Sequence, residues 1–468
     1  MAVSSPTKLH ITTKSLAKTR SFPSSTHSLR CLRKFLAALF AFLILFQLQI
    51  ILRTLKIDLQ FPLPSSMPLH LLPRGEVAFL PLKDLRLAQT PMDGNTWFMS
   101  SLNDTYETGE TEYLHFPSDA SKGRLLCLAG RSISNGTMNS YALALPHSLP
   151  RYAKLLSGLT FVSETFYDYE NLWHGLSAVV PFAAWHRRKG CAMPARWVLY
   201  HQGELRSRMG SWVSNVTAAT FGQETNIERF ERSDDGPSCF EEAVVFRHNE
   251  GKMTRERKVK VYDMMRCKAR AYCNVRRNVE DLKNIRITLF FRVGARAFKD
   301  EEGVIKIFER ECKKVKGCHV KVARPNNLTF CDQVKLMTET DILVSSHGAQ
   351  LTNMFFMDKN SSIMEFYPKG WRELAGAGQY VYRWLASYSG MAHRGAWYDP
   401  NGDPCPYNVT SRCMSFYKNK LIGHDDALLT NWTITVLKEE RQRKLSIING
   451  THLKPTSSCD CDISMQVA

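Results

Sequence analysis

The stretch that decides the fold is DILVSSHGAQLTNMFFMDKNSSIMEFYP, residues 341–368. Residues 341–346 are a continuous apolar run, which is typical of a strand buried on both faces of a parallel sheet. The pattern predicts a short helix over residues 348–357 and a further strand over residues 361–368. The stretch therefore predicts a strand–helix–strand unit of a parallel sheet.

The sequence before this stretch continues the same alternation. Residues 284–294 predict a strand, residues 301–316 an amphipathic helix and residues 318–324 another strand. Thr329 and Asp332 form a capping-box pattern at the start of a further helix. Because the links are short, this half of the chain is expected to be a parallel, doubly wound sheet.

The preceding half has a less regular pattern. Strands are predicted over residues 124–130 and 195–201, with an apolar, helical stretch over residues 164–188 between them. Residues 222–260 are polar, and we expect them to separate the two halves. The chain is thus predicted to be α/β, with two lobes.

An N-terminal membrane anchor is predicted from the charge pattern. Residues 1–34 contain seven Lys and Arg and no acid, and residues 35–52 are uncharged and apolar. Eighteen residues span about 27 Å of helix, close to the hydrocarbon core of a bilayer. A cleaved signal peptide would have a shorter leader and a small-residue cleavage site, and a core helix would not follow a basic tail. The positive-inside rule then places the N-terminus in the cytosol and everything after residue 53 in the secretory lumen.

Sequons and cysteines agree with a lumenal position. Chance would give about two or three sequons, and more than this suggests exposure to the glycosylation machinery. Eight occur, at Asn103, Asn135, Asn215, Asn327, Asn360, Asn408, Asn431 and Asn449. Twelve of the 13 Cys follow the anchor, which allows up to six disulfides in an oxidising compartment. Close pairs are the candidates: Cys267/Cys273, Cys312/Cys318 and Cys405/Cys413.

The predicted organisation follows from these segments. Residues 53–95 hold six prolines, which favours an extended stem. The predicted parts are a cytosolic basic tail (1–34), a transmembrane signal anchor (35–52), the stem (53–95), an N-terminal lobe (96–280), a C-terminal lobe (281–445) and a C-terminal tail (446–468).

The charge excess has several candidate partners. The 468 residues carry 62 Lys and Arg against 44 Asp and Glu, a formal charge of +18, which suits nucleic acid, an anionic membrane or a phosphate-bearing substrate. A lumenal domain excludes nucleic acid. The patterns G-x-G-x-x-G, Walker A, H-E-x-x-H, G-x-S-x-G and C-x-x-C are all absent, which disfavours dehydrogenases, P-loop NTPases, zincins, lipase-type hydrolases and zinc ribbons.

The candidate chemistry lies at the strand–helix turn. At His347-Gly348-Ala349, small residues let backbone approach a ligand, and the helix N-terminus offers free N–H groups to a diphosphate. Tight strand–helix packing is the alternative explanation. Arg292 and Arg296 end the first strand of the same half, at its carboxyl edge, and could neutralise a pyrophosphate, although surface arginines usually serve solubility.

Three blocks of this sequence resemble the family 61 glycosyltransferases. They are SSHGAQLTNMFFMDKNSSIMEFYP (345–368), IRITLFFRVGARAF (285–298) and ENLWHGLSAVVP (170–181). The resemblance runs from about Asp168 to Lys420, and the GHDDAL and Cys405/Cys413 regions are similar to plant members. Two positions depart from the family pattern: Gln350 replaces the second Gly of H-G-A-G, and Lys299-Asp300 replaces the usual Asn.

The resemblance implies a GT-B fold, two Rossmann-like lobes facing a cleft, in an inverting, type II Golgi or ER membrane enzyme that uses a UDP-sugar. Glu365 would lie near the ribose or sugar. The residues implied around the nucleotide diphosphate are Arg292, Arg296, His347, Gly348, Ala349, Thr352 and Asn353.

An inverting transfer needs a base and positive charge for the departing UDP. His174, with Asp168 behind it, is the candidate base, although a lone His on an apolar helix is often only a core residue. The arginines and the His347 turn can supply the charge without a metal or cofactor. Asp168-Tyr169-Glu170 and Asp234-Asp235 imitate metal-binding acidic pairs, but solvated loop acids are the preferred interpretation.

Several functions stay open. The first is transfer of xylose or arabinose to a wall polysaccharide such as xylan in the Golgi lumen. The second is transfer of N-acetylglucosamine to protein, or of xylose to N-glycans, on secreted glycoproteins. The third is a lumenal GT-B binding or scaffold protein without activity. The expected partners are a UDP-sugar, a polysaccharide or glycoprotein acceptor, the membrane and other Golgi glycosyltransferases.

Overall fold

The structure is a computed structural model. It describes residue 47 and residues 77–85, 107–130, 132–165, 169–230, 236–246, 253–276, 283–449 and 459–461. Residues 1–73 and residues 74–468 are separate units. The predicted basic tail and anchor lie outside the described residues, apart from Gln47. None of the helices in the described ranges combines the length and the apolarity that a membrane span requires.

The second unit contains two sheets and their helices, which confirms the expected mixed α/β architecture. The strands are β1 (Leu80–Pro81), β2 (Leu114–Phe116), β3 (Leu125–Ala129), β4 (Ser140–Ala144), β5 (Lys154–Glu164), β6 (Arg196–His201), β7 (Glu204–Arg206), β8 (Ser238–Phe246), β9 (Ile285–Phe290), β10 (Cys318–Ala323), β11 (Ile342–Ser346), β12 (Ser362–Tyr367) and β13 (Ala392–Tyr398). The α-helices are α1 (Leu172–Arg188), α2 (Ser211–Phe221), α3 (Arg255–Tyr272), α4 (Glu301–Lys313), α5 (Phe330–Thr338), α6 (Trp371–Leu374), α7 (Val381–Tyr388), α8 (Thr410–Lys418) and α9 (Asp426–Asn449). Short 3-10 helices cover Leu82–Asp84, Gly136–Met138, Pro325–Asn327, Ala349–Phe356 and Gly376–Tyr380.

The C-terminal sheet is parallel throughout, in the order β10-β9-β11-β12-β13. This confirms the doubly wound sheet expected from the sequence. Alternate residues of its strands face two layers: Ile287 packs with α4 and α9, whereas Leu343 packs with α5 and the 3-10 helix Ala349–Phe356. The predicted capping box of Thr329 and Asp332 is also confirmed at the start of α5.

The N-terminal sheet is mixed, in the order β1-β4-β3-β8-β5-β6-β7, with β2 also paired to β8. The strand β8 lies at its centre, so the prediction that residues 222–260 only separate two halves was wrong. Phe240 and residues 243–246 of β8 are buried, but Glu241 and Glu242 interrupt them. Because charged residues interrupt the apolar ones, the mean hydropathy of the segment is polar and does not indicate a buried strand.

Part of the predicted stem packs on this sheet. Strand β1 pairs with β4, and Pro81 is tolerated there because β1 is an edge strand. Leu82 and Leu85 are buried against the outer face of the sheet. Residues 77–85 are therefore part of the folded lobe.

The two lobes share one hydrophobic core. The helices α1, α2 and α3 on the N-terminal sheet pack against α5, α7 and the 3-10 helix Ala349–Phe356 on the C-terminal sheet. Hydrogen bonds cross this layer: Trp212 Nε1 donates to Asn353 Oδ1 at 2.9 Å, and Arg266 donates to the carbonyls of Phe355 and Ser389, each at 2.7 Å. Removal of these polar groups from water is thus compensated inside the layer.

Six disulfides use all twelve cysteines after the predicted anchor. They are Cys127–Cys239, Cys191–Cys461, Cys267–Cys459, Cys273–Cys331, Cys312–Cys318 and Cys405–Cys413. The last two confirm predicted pairs.

The pairing of Cys267 with Cys273 was wrong. Cys267 lies within α3 and Cys273 caps its end, so six residues of helical rotation turn them toward different partners. Cys273 forms a disulfide with Cys331 of α5, whereas Cys267 forms one with Cys459 of the C-terminal tail.

Candidate active site

The carboxyl edge of the C-terminal sheet carries the predicted site. Numbered from β9, the strand order is 2-1-3-4-5, so the connections after β9 and β11 leave the sheet in opposite directions. Such a switch point opens a crevice in which ligands of parallel sheets bind. Arg292 follows β9 and His347 follows β11. The structure therefore brings these two predicted residues to one crevice.

The loop after β9 is held in a fixed shape. Arg296 has a left-handed backbone with φ 62°, and its N–H donates to the carbonyl of Lys420 at 3.0 Å. Ile422 then pairs with the loop from both sides, donating to Ala297 at 2.8 Å and accepting from Lys299 at 2.8 Å. Residues 420–422 thus hold the loop so that Arg296 Nη1 donates to the carbonyl of His347 at 2.9 Å.

The two arginines form a partly buried positive pair. Burial lowers the pKa of Arg292, and burial together with the charge of Arg292 lowers the pKa of Arg296 to about 10. Both remain protonated at neutral pH. No carboxylate in the described part of the chain acts as a counter-charge for either guanidinium. Two like charges gathered at a crevice without an acid make it a strong site for an anion.

The turn after β11 closes tightly on this pair. A Cβ added to Gly348 would lie 2.5 Å from Arg292 Nη1 and 2.5 Å from Gln350 Oε1, so a larger residue there would displace the ends of these two side chains. Ala349 begins a 3-10 helix and is half-buried. The turn therefore places backbone directly beside a guanidinium, as expected for a site that holds phosphate.

Gln350, which departs from the family pattern, folds inward. Its Nε2 donates to the carbonyl of Ser346 at 2.8 Å and to Ser345 Oγ at 3.3 Å. Ser345 Oγ in turn donates to the carbonyl of Phe290 at the end of β9. Gln350 thus ties the turn to the ends of both strands.

His347 is positioned by a buried carboxylate. Its Nδ1 lies 2.6 Å from Glu365 Oε1, and His393 Nε2 lies 2.8 Å from Glu365 Oε2. Burial lowers the pKa of His347. Burial also opposes ionisation of Glu365, but the hydrogen bonds from both histidines outweigh it and lower its pKa. The favoured state is a neutral His347 that donates Nδ1–H to an ionised Glu365. Glu365 is fully buried, so it lies behind His347.

Aromatic rings enclose His347. The ring centroids of Tyr367, Trp371 and Tyr382 lie 4.8, 4.3 and 4.9 Å from that of His347. Trp173, in the first turn of α1, contacts Tyr382 across the lobes with centroids 6.1 Å apart. The enclosure therefore connects the C-terminal site with the start of α1.

The remaining predicted site residues lie farther from the arginine pair or outside the described residues. Thr352 and Asn353 are fully buried one turn behind Gly348, and Asn353 bonds Trp212 of the other lobe. His174 is half-buried in the first turn of α1, whose N-cap Asn171 accepts from the His174 backbone N–H. Asp168 lies outside the described residues.

His393 and the aromatic enclosure of His347 were not predictable from the sequence. His393 comes 28 residues after Glu365 and reaches it only because β13 lies next to β12. The aromatic residues after β12 were visible as a cluster, but no spacing rule connected them to His347.

One cluster of potential metal ligands contains a disulfide. In the ranges that the structure describes, His186, Cys191 and Cys461 place three ligand atoms within 4.8 Å of one another. Cys191 and Cys461 form a disulfide, so neither offers a thiolate to a metal.

The comparison with known families fits this geometry. The model of the family described as Glycosyltransferase 61 matches residues 165–364, which include α1, the loop after β9, the His347 turn and the first half of β12. The chain carries a family 61 glycosyltransferase domain. This glycosyltransferase uses a sugar donor and an acceptor. A search of curated proteins finds no match to it.

Proposed function

We propose that this glycosyltransferase transfers a sugar from a UDP-sugar, with inversion, and that the crevice between β9 and β11 binds the diphosphate. The observation that carries the proposal is the pair of partly buried guanidiniums, Arg292 and Arg296, beside the Gly348 backbone. A diphosphate there would supply the missing negative charge and accept charge-assisted hydrogen bonds. His347, Gly348, Ala349, Thr352, Asn353 and Glu365 would bind or support it.

The proposed reaction is one displacement. The acceptor hydroxyl oxygen forms a bond to the anomeric carbon while the bond from that carbon to the UDP oxygen breaks. The hydroxyl proton passes to a base, for which we propose His174 with Asp168 behind it. Charge that develops on the departing UDP is stabilised by the two arginines, so the protein groups themselves can support departure.

The proposed base has support from one contact. Trp173, its neighbour in α1, touches Tyr382 of the His347 enclosure. The first turn of α1 thus lies next to the aromatic enclosure of His347. We propose that the two sheets are the facing lobes of a GT-B fold, with α1 presenting the acceptor side.

We propose xylose or arabinose as the transferred sugar, xylan as the acceptor, and the Golgi lumen as the site. The six disulfides support an oxidising compartment, because such bonds are rare in the cytosol. Residues 35–52 would anchor the chain as a type II membrane protein, with its catalytic domain in the lumen. A protease-protection assay on intact microsomes tests this: a tag after residue 468 should be protected, and digestion of that tag would contradict the topology.

The decisive test of activity is a donor screen. The full chain is purified from microsomes and incubated with UDP-xylose, UDP-arabinose and UDP-N-acetylglucosamine, and release of UDP is measured with and without xylo-oligosaccharide. We expect UDP-xylose or UDP-arabinose to be used, and the His174→Ala variant to bind UDP normally but transfer little. Preference for UDP-N-acetylglucosamine would favour a glycoprotein acceptor. Binding of UDP without turnover on any donor would favour the scaffold function.

A further inference from the structure

Two exposed aromatic side chains form a pair next to the proposed active site. Tyr380 and Trp384 are 39% and 40% exposed, and their ring centroids lie 6.0 Å apart with an interplanar angle of 37°. They are separated by one helical turn, so they lie on the same face. Tyr382 and Leu385, on the opposite face of α7, are buried. The two rings are thus held on a well-packed helix.

The position of the pair follows from Tyr382. That residue contacts both His347, at 4.9 Å, and Trp173 of the other lobe, at 6.1 Å between ring centroids. Tyr380 and Trp384 lie on the outer side of the same helix, about one helix diameter, ~10 Å, farther out. The pair therefore lies on the exposed face of the same helix whose buried face contacts His347 and Trp173.

The surroundings of the pair indicate the chemistry of its ligand. Between residues 371 and 391, all of which the structure describes, these are the two large apolar side chains that are exposed. Arg372 and Arg383 are exposed in the same segment. Two rings among polar groups do not make the contiguous apolar patch that a protein partner would cover. They do fit a saccharide, whose C–H faces stack on rings and whose hydroxyls bind polar neighbours.

The spacing favours a chain of sugars. A centroid separation of 6.0 Å is comparable with the advance of one residue along a β-1,4-linked pyranose chain. Xylan offers ring faces without a hydroxymethyl group in the way. We propose that Tyr380 and Trp384 are a binding platform for the xylan backbone, a few sugars away from the reacting hydroxyl. This proposal rests on the proposed function.

The test measures binding of xylohexaose and xylobiose to the full chain by calorimetry in the presence of UDP. The wild type should bind the hexaose more tightly than the biose, because only the longer chain reaches both the platform and the crevice. Loss of one stacked ring should weaken hexaose binding about tenfold, by analogy with stacking of nucleobases on aromatic side chains. In Trp384→Ala and Tyr380→Ala the ratio of the two affinities should therefore fall, whereas Trp384→Phe should retain most of it.

The control is Tyr152→Ala. Tyr152 is 73% exposed and precedes β5, whereas α1 begins after the other end of that strand, so Tyr152 lies far from the first turn of α1. This variant should bind both sugars as the wild type does. Unchanged hexaose binding in Trp384→Ala would overturn the platform, and so would loss of UDP affinity together with sugar affinity. If the wild type binds UDP but not xylohexaose, the platform proposal fails while the donor site stands. Failure to bind UDP would instead refute the proposed function.

Discussion

Replacement of Arg292 by Met should weaken UDP binding and stabilise the ligand-free protein at the same time. Met has a similar length and no charge, so it can follow the path of the Arg292 side chain beside Gly348. Two effects are expected from the structure. The first is loss of a charge-assisted hydrogen bond to phosphate. The second is relief of the repulsion by Arg292, which adds to burial in lowering the pKa of Arg296.

The magnitudes follow from the two effects. A hydrogen bond between charged groups contributes about 1.5–3 kcal/mol, which corresponds to roughly 10- to 150-fold weaker UDP binding. Relief of repulsion between two partly buried like charges should raise the free energy of unfolding by about 1 kcal/mol. Arg292 Nε is also buried without a hydrogen bond, so its removal costs no bond there. A binding residue whose loss stabilises the protein is the pattern expected of a site that awaits an anion.

The assay combines calorimetric titration with UDP and urea unfolding of the ligand-free chain. The matched control is Arg310→Met. Arg310 lies on α4 and does have a carboxylate partner, Glu311 Oε1, at 2.9 Å. This variant should lose some stability, because it leaves a buried acid with one partner fewer, and it should bind UDP normally. The reasoning is refuted if Arg292→Met binds UDP within twofold of the wild type, or if it loses as much stability as Arg310→Met.

Three further predictions concern stability and the lobe interface. Burial lowers the pKa of His186 to about 4, so the unfolded chain binds a proton that the folded chain does not as pH falls from about 6.5 to 4; His186→Leu should remove about 2.4 kcal/mol of that acid sensitivity, measured as the difference between the free energies of urea unfolding at pH 7 and 4.5. Asn353→Ala should leave Trp212 Nε1 without its hydrogen-bond acceptor and lower the free energy of urea unfolding by about 2 kcal/mol. A loss of UDP affinity without destabilisation would instead indicate that Asn353 contacts the sugar nucleotide directly. The double variant Cys459→Ser/Cys461→Ser should release the C-terminal tail and lower the free energy of unfolding by about 3 kcal/mol or more. Proteolysis of the tail should become faster; an unchanged rate of proteolysis would show that other contacts hold the tail.

The architecture of the C-terminal lobe was predictable because it depends on residues that are close together in the sequence. Apolar runs, capping residues and short links determine β9 to β12, and a parallel sheet brings the ends of its strands to one edge. Arg292 and His347 could therefore be placed together from the sequence, since each directly follows a strand. The amphipathic helix α4 was predictable for the same reason.

The N-terminal lobe was harder because its elements depend on distant partners. Strand β8 is central only because β3 and β5 pair with it, and its own composition is mixed. Cys267 bonds a cysteine 192 residues away, which no local spacing indicates. Helical rotation excluded the nearer pair, but only the packed structure supplied the real partner.

The sequence by itself determined the parallel sheet, the arginine pair and the turn at Gly348, because each depends on neighbours along the chain. Only the tertiary structure decided what surrounds them. The register of β12 and β13 brings His393 to Glu365, and Glu365 in turn positions His347. The shared core of the lobes gives Asn353 a partner in Trp212. Such contacts join residues far apart in the chain, so they depend on packing of the whole chain, which no local pattern contains.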